Sequence, residues 1–251
     1  MNQPAPSAMP WPAEDFSVYG PVEARPVGKV QGYVGRAMHR NWVSIPHVTH
    51  QDEADITELE RRRKAWNAAH PDDRRTLLPV LIKASVEALR QYPNFNCSLS
   101  ADGATLFAKK YFHIGVAVDV PNGLLVPVLR NCDQKDVAEL VRELAQLSEK
   151  ARTKGLSVAE MSGGCFTLSS LGHIGGTGFT PIINAPEVAI LGICRALERF
   201  VPDASGNPVL KQLLPLSLSY DHRVINGADA ARFVRAVADW LSSYQFSEAP
   251  R

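Results

Sequence analysis

The stretch LSLSYDHRVINGADAARF, residues 216–233, restricts the fold more than any other part of the chain. Leu216, Leu218, Tyr220 and His222 fall on alternate positions, the period of a strand with one buried face. The Asn226-Gly227 pair ends the extended run, and Phe233, Val234, Val237, Trp240 and Leu241 then recur at helical spacing. A strand that leads into an amphipathic helix predicts a sheet covered by helices. It also places a histidine where the alternation demands a buried apolar residue.

The remaining segments agree with that layering. Asp55 and Glu58 in ADITELERRRKAW make a capping-box-like helix start, followed by a basic run, Arg61 to Lys64, that reads as a solvated helix face. LLPVLIKASVEALRQYP is a largely apolar helix that must end before Pro93. HIGVAVDV and LLVPVLRN flank Asn122-Gly123 and read as a hairpin. Val137, Leu140, Val141, Leu144 and Leu147 predict a helix with a stop at Gly155, and short strands are expected near 165–170, 187–193 and 213–222. The fold class is therefore α/β, an α+β two-layer sandwich with a mixed sheet. With 251 residues and 45% hydrophobic content, one large domain or two small ones is possible. No second break interrupts the pattern, so residues 17–251 read as one domain. Residues 1–16 carry four prolines among the first twelve positions and read as a Pro/Ala-rich linker or arm.

A net charge of +1 provides no global field for nucleic acid or an anionic membrane, so neither is expected as a partner. Cys97, Cys132, Cys165 and Cys194 are widely spaced without a CxxC pair, and no leading apolar segment reads as a signal peptide or membrane span. Free thiols in the cytoplasm are the simplest account.

Seven histidines are candidates for chemistry. His47 and His50 lie three apart in an extended-looking IPHVTH, point to opposite faces and make a poor metal pair, so no metal site is expected. His39, His70, His113 and His173 are sufficiently explained by surface or structural roles. The glycine-rich SSLGHIGGTGFTP, residues 169–181, lacks the Lys-Ser/Thr of a phosphate loop, and Pro181 and Pro186 forbid the helix that would hold a phosphate. It is either a flexible connection or backbone that a ligand approaches closely. His222, at a strand end beside Asp221 and Arg223, is either a satisfied core histidine or an imidazole able to take a proton from a thiol or alcohol. Asn226 suits a helix N-cap, with Asp229 favoured near the helix start.

DHRVINGADAARF closely resembles the DHRxxDG signature of the dihydrolipoyl acyltransferases of 2-oxo acid dehydrogenase complexes and of their relative chloramphenicol acetyltransferase. IPHVTHQDEADITELE, PNFNCSL, HIGVAVDVPNGLLVPVLRN and CFTLSSLGHIGGTGFTPIINAPEVAILGI resemble the same catalytic domain in the same order, and TPIINAPEVAILG is most similar to the acetyl-transferring, pyruvate dehydrogenase branch. The resemblance implies a chloramphenicol acetyltransferase-like homotrimer with active sites between subunits. Coenzyme A would enter from one end and a dihydrolipoyl group, carried on a separate domain or chain, from the other. Other 2-oxo acid dehydrogenase components are implied as partners.

By position in the motif, His222 resembles the general base on the thiol, and Ser169 the hydroxyl that stabilises the tetrahedral oxyanion from the neighbouring subunit. A thiol near pKa 8.5 and an imidazole near 6.5 are matched for such a transfer at neutral pH. The resemblance places Gly175, Gly176 and Thr177 along the coenzyme A channel and sets Arg195 on a coenzyme A phosphate, although a solvated loop arginine explains Arg195 as well. Two further readings stand beside acetyl transfer to dihydrolipoyl: transfer to a different small acceptor, and a non-catalytic core scaffold. Asn226 stands where most members carry aspartate, which gives it a hydrogen-bonding role in the site. Set beside that family, the sequence shows neither the lipoyl domain nor the small domain that binds the partner enzymes, so it is expected to be either the catalytic core of a longer protein or a stand-alone acyltransferase whose carrier is supplied in trans. In the family an apolar C-terminus docks neighbouring trimers. SSYQFSEAPR is mostly polar, with Tyr244 and Phe246 as its only anchors, so assembly is expected to stop at the trimer.

Overall fold

The computed structural model describes residues 12–121 and 123–246. In chain order its elements are α1 (Lys29–Ser44), β1 (His47–Asp55), α2 (Thr57–Ala69), α3 (Leu77–Gln91), β2 (Cys97–Leu99), β3 (Leu106–Ala108), β4 (Ile114–Val116), β5 (Val118–Val120), β6 (Gly123–Leu125), β7 (Val128–Leu129), α4 (Val137–Thr153), β8 (Phe166–Ser170), β9 (Ala189–Ile193), β10 (Leu197–Pro202), β11 (Pro208–Asp221) and α5 (Gly227–Ser243). The main sheet runs β1-β11-β9-β8-β4-β7, with β10 also paired to β11. β8 is parallel to β4 and β9, and the other pairs are antiparallel. The expected mixed sheet is therefore present. Helices α3, α4 and α5 cover one face around a core in which Phe95 and Phe233 stack at 4.2 Å and Phe166 tilts against Phe233 at 5.5 Å.

Long β11 decides the layout. One side pairs with β1 from Leu213 to Asp221, and the other pairs with β10 and then β9. Pro215 sits between those two pairings, where the strand can spare a donor, and its carbonyl accepts from Cys194 N–H at 3.2 Å. The alternation expected for this strand is only half of what the structure shows. Leu216, Leu218 and Tyr220 are buried, but so are Ser217, Ser219 and Asp221. A central strand is covered on both sides. Helices cover the leucine side, and the segment after β8 covers the other: the Phe179 ring lies where a Cβ on Gly192 would meet it at 2.7 Å, and Phe179 N–H donates to Ser217 Oγ. Ser219 and Thr49 hydroxyls pair at 2.8 Å on that same side.

Several local expectations are revised. Asp55 is the last residue of β1; its carboxylate accepts from Thr57 N–H and hydroxyl and pairs with Lys211, while Glu58 pairs with Arg61, so no capping box forms there. The capping box is at α4, between Asp136 and Glu139. Of the basic run, Arg63 forks onto buried Glu60 and Arg62 donates to Tyr244 O at 2.7 Å, so that face is structural as well as solvated. The hairpin stands: β5 pairs with β6 and β4 with β7, and Asn122 lies outside the described residues. So do residues 1–11 of the expected arm; within 12–28 only a single 3-10 turn, Phe16–Tyr19, is present, and it buries nothing. Helix α1 has no counterpart in the sequence reading. Among its described side chains it buries Asn41 alone, which donates to Ile183 O at 2.9 Å, and leaves Tyr33 and Trp42 exposed.

Candidate active site

His222 does not sit in the strand. β11 ends at Asp221, and His222 is exposed on the turn into α5, its backbone N–H donating to Pro46 O at 3.1 Å. The expected buried position is corrected here, because the chain turns one residue earlier. Every other part of the turn is fixed. Buried Asp221 takes the Arg223 guanidinium in a fork, with Nη2 to Oδ2 at 2.6 Å and Nε to Oδ1 at 2.9 Å, and also accepts Arg223 N–H. That carboxylate raises the pKa of Arg223, so the clamp stays charged. Ile225 is buried in the core, and Asn226 Oδ1 accepts from Asp229 N–H at 2.9 Å while its Nδ2 donates to Asp229 Oδ2. Asn226 is thus the N-cap of α5. Among the described residues the His222 ring has no hydrogen-bond partner and lies 5.8 Å from the Tyr220 ring.

Ser169 ends up elsewhere. It lies on β8 opposite Gly192, which is opposite Ser217, five residues before His222. Two strand spacings and five residues of chain separate the two side chains by roughly 15–20 Å. One chain does not bring them together. Ser169 lines a cleft of about 460 Å³ with Val116, Leu144, Ser148, Arg152 and His173. Its hydroxyl has no hydrogen-bond partner among the described residues, whereas Ser170 Oγ accepts from Gly172 N–H at 3.4 Å. A larger cleft of about 610 Å³ between α3 and α5 contains none of the predicted site residues.

Two glycines of the loop after β8 have a backbone reason. Gly175 and Gly176 have φ of +150° and +84°, the left-handed region that side chains disfavour. The loop packs on the corner after β9: Leu171 N–H donates to Ile193 O, and Arg195 donates through Nε to Gly172 O and through Nη2 to His173 O at 3.0 Å. Arg195 therefore braces the loop. Gly175, Gly176 and Thr177 lie beside the Ser169 cleft rather than in its lining, and the arginine that lines it is Arg152, which the sequence did not single out.

Beneath Ser169, Thr167 Oγ1 donates to Glu187 Oε2 at 2.7 Å. Burial pushes this carboxyl up to about 7, against the lowering effects of Thr167 and Lys109. Two glycines make the space: a Cβ on Gly164 would meet Glu187 Oε1 at 2.6 Å, and one on Gly115 would meet Thr167 Oγ1 at 2.8 Å. His47 is structural, its Nδ1 near Ile45 O at 2.8 Å and its Nε2 accepting from Ile183 N–H at 3.0 Å. Among the described residues no group of three or more His, Cys, Asp or Glu could hold a metal ion. All four cysteines are free and buried, and burial raises each thiol, Cys132 to about 12.

Residues 19–247 match the family described as 2-oxoacid dehydrogenases acyltransferase (catalytic domain). The chain belongs to that family. It is 52% identical over 240 residues to the dihydrolipoyllysine-residue acetyltransferase component of the pyruvate dehydrogenase complex of Cupriavidus necator, covering 94% of this chain and 43% of that protein. With the corresponding Azotobacter vinelandii protein it shares 52% over 231 residues, covering 91% and 36%. The chain thus spans less than half of these relatives. A solved structure of Azotobacter vinelandii dihydrolipoamide acetyltransferase superposes with a TM-score of 0.91 at 50% identity, over 94% of this chain and 98% of that one. That work concerns the roles of a serine, a histidine and an asparagine in the enzyme's catalytic mechanism. Its asparagine follows the histidine by four positions, as Asn226 follows His222, and its serine precedes the histidine by 52, where Ser170 and Ser169 precede by 52 and 53. Chloramphenicol acetyltransferase, at 16% identity and a TM-score of 0.57 over 82% of this chain and 94% of that one, shares the fold. The expected chloramphenicol acetyltransferase-like architecture is therefore present.

Proposed function

We propose that this acyltransferase domain moves an acetyl group between coenzyme A and a dihydrolipoyl thiol. The observation that carries it is the free, exposed His222 imidazole on an otherwise pinned turn, in a chain about half identical to acetyltransferases of the pyruvate dehydrogenase complex. His222 takes the thiol proton, the sulfur attacks the thioester carbonyl, and the carbonyl oxygen becomes an oxyanion. Ser169, with its uncommitted hydroxyl, donates to that oxygen, an interaction worth roughly 3 to 4 kcal/mol. Collapse breaks the original C–S bond, and His222 returns the proton to the departing thiolate. Asn226 holds the turn that aims His222.

The separation of Ser169 and His222 within one chain supports a homotrimer, in which a neighbouring copy brings the two side chains face to face. The exposed apolar residues of α1 and its approach, among them Val27, Tyr33 and Trp42, suit burial against that copy. One relative forms the cubic core of the pyruvate dehydrogenase multienzyme complex. In this chain Tyr244 stacks on Trp240 at 4.8 Å and Phe246 packs on Tyr244 and Trp66, so both aromatic anchors are engaged within their own chain. This supports a particle that stops at three subunits; a cubic-particle mass in light scattering overturns it. The lipoyl group arrives on a separate domain or chain, within a 2-oxo acid dehydrogenase complex. The composition of residues 1–16, with four prolines among the first twelve positions, supports reading this stretch as a linker or arm. No described helix is long and apolar enough to cross a membrane, and four unpaired thiols suit the cytoplasm.

The test is the initial rate of acetyl transfer from acetyl-coenzyme A to free dihydrolipoamide by the purified trimer. Sustained turnover is expected. A folded trimer that binds coenzyme A without transferring acetyl overturns the catalytic reading and leaves the scaffold.

A further inference from the structure

We infer that Glu187 is a positioning residue for the reaction: through Thr167 it holds β8 so that the Ser169 hydroxyl meets the reacting carbonyl, and it does so fully only while its own carboxyl carries a proton. The inference rests on the oxyanion role proposed for Ser169 above and adds to it the group that sets where that hydroxyl stands.

Side chains alternate along β8, so Thr167 and Ser169 project from one face of the strand, two residues apart. Ser169 has no tie of its own. Its hydroxyl has no hydrogen-bond partner among the described residues, and Gly192, its neighbour on β9, brings no side chain. Thr167 is tied firmly, because its buried hydroxyl donates to Glu187 Oε2 at 2.7 Å across 20 residues of chain. Glu187 is anchored in turn from outside β8: its N–H donates to Asn184 O at 3.1 Å, and the Pro186 carbonyl before it accepts from the Ser98 hydroxyl of β2 at 2.6 Å. The pair also has no room to slide. A Cβ at Gly115 of β4 would meet Thr167 Oγ1 at 2.8 Å, and one at Gly164 would meet Glu187 Oε1 at 2.6 Å.

The carboxyl is buried, and the Thr167 hydroxyl is the one hydrogen-bond donor it receives among the described residues. A single neutral donor does not compensate a buried anion. Burial accordingly pushes this carboxyl up to about 7, against the lowering effects of Thr167 and Lys109. Among the described residues the other groups packed here are few. Lys109, just after β3, donates to Gly164 O at 3.3 Å. Cys165 follows Gly164, and burial raises its thiol, so it stays neutral over this range. From β4 and β7 come Gly115 and Val128. Lys109 and Glu187 therefore both abut Gly164. With its proton, the carboxyl needs only to accept from Thr167. Without it, the anion is drawn toward the Lys109 ammonium, which loosens the Thr167 bond and with it the strand beneath Ser169.

The experiment is kcat for acetyl transfer to dihydrolipoamide, from about pH 6 to about pH 8.5, in the full chain and in Glu187→Gln, Ser169→Ala and the double variant. Glutamine keeps an acceptor for Thr167 and cannot ionise. Titration of the base is common to all four proteins and cancels in ratios. The ratio of Glu187→Gln to wild type is expected near one at about pH 6 and roughly three- to tenfold at about pH 8.5, with KM for both thiol substrates unchanged. In the Ser169→Ala background the same ratio should stay near one, because the hydroxyl being placed is gone. A side chain that only stabilised the fold would act alike in both backgrounds. Thr167→Val tests the link from the strand side and is expected to lower kcat about tenfold at every pH in a folded protein, again with little change in KM. A flat ratio in the wild-type background overturns the inference, as does one that rises equally without Ser169, or an unchanged kcat in Thr167→Val. If Ser169→Ala transfers acetyl at the wild-type rate, the oxyanion role falls and the inference with it. A loss in Ser169→Ala beside a flat ratio overturns the role of Glu187 alone.

Discussion

The His222 turn and the Ser169 strand end carry the two halves of one chemistry, yet they are built differently. The turn is fixed mainly by contacts within nine residues, the Asp221–Arg223 fork and the Asn226–Asp229 cap, with the buried Ile225 and the His222 N–H bond to Pro46 O tying it to the rest of the chain. The strand end is fixed by residues far apart in sequence, with Glu187 meeting Thr167 in space that Gly115 and Gly164 leave open. A locally fixed half can be recognised from a motif. In the half assembled from distant segments, family resemblance points to Ser169, but the supports beneath it leave no local signal.

The largest effect should come from the turn. Replacing His222 by Ala removes a ring with no hydrogen-bond partner among the described residues, so fold and assembly should survive while kcat falls about 10²- to 10⁴-fold. Acetyl-transfer kinetics alongside circular dichroism and light scattering check this. A variant with near wild-type turnover would remove the base from the mechanism and leave the turn only a structural role.

The strand end should show the next largest effect, and there two neighbours compete. The homologous serine is 52 positions from its histidine, a spacing that an ungapped count gives to Ser170, while the free hydroxyl belongs to Ser169. Side chains on a strand alternate, so Ser169 shares a face with Thr167, and Ser170 shares one with core residue Leu168. Ser169→Ala should cost about 10²- to 10³-fold in kcat, the range for losing an oxyanion donor, and Ser170→Ala less than about tenfold. The reverse order would move the oxyanion donor one residue along.

Glu187 probes how that end is held. Its folded pKa, about 7, lies above the ordinary carboxylate value of about 4.5. The folded state therefore favours the protonated form, and the associated stability is complete below about pH 4.5 and lost as pH rises through about 7. Glu187→Gln keeps an acceptor for Thr167 and cannot ionise. Its stability should be flat across that window and exceed the wild type by roughly 2–3 kcal/mol at pH 8, relative to their difference at pH 4. Parallel denaturant midpoints across the pH range would show that the pair does not sense protons.

Legibility followed the same division. The strand end, turn, cap and helix around His222 could be read because most of their determinants are local, and the strands near 114–129, 166–170, 189–193 and 213–221 were readable from their apolar runs, whereas β2, β10, the first residues of β11 and the strand directions were not. The burial of His222 was misjudged because alternation reveals a face, not the residue at which a strand ends. Ser217, Ser219 and Asp221 broke the pattern because a distant segment covers their side of the sheet. Helix α1 went unread because, among its described side chains, it buries only Asn41 and so leaves no apolar stripe facing this chain's core. Arg152 gave no signal at all: its cleft is assembled from α3, α4, the β4–β6 region and the loop after β8.

The smallest effect separates the two duties of Asn226. Its side chain caps α5 through Asp229 N–H and braces the Asp229 carboxylate, so Asn226→Ala should lower stability by about 1 kcal/mol. Asn226→Asp preserves the cap but sets a second carboxylate against Asp229, whose Oδ2 now accepts from Asn226 Nδ2. That repulsion should loosen the brace while leaving the helix start in place. If Asn226 acts only as a cap, the aspartate variant keeps its kcat and the alanine variant loses stability alone. If Asn226 also aims the imidazole, both variants lower kcat with little change in KM, and the loss grows with the mobility of the turn. Chemical denaturation paired with acetyl-transfer kinetics distinguishes the two, and a fall in kcat without any loss of stability would assign Asn226 to the chemistry rather than to the helix.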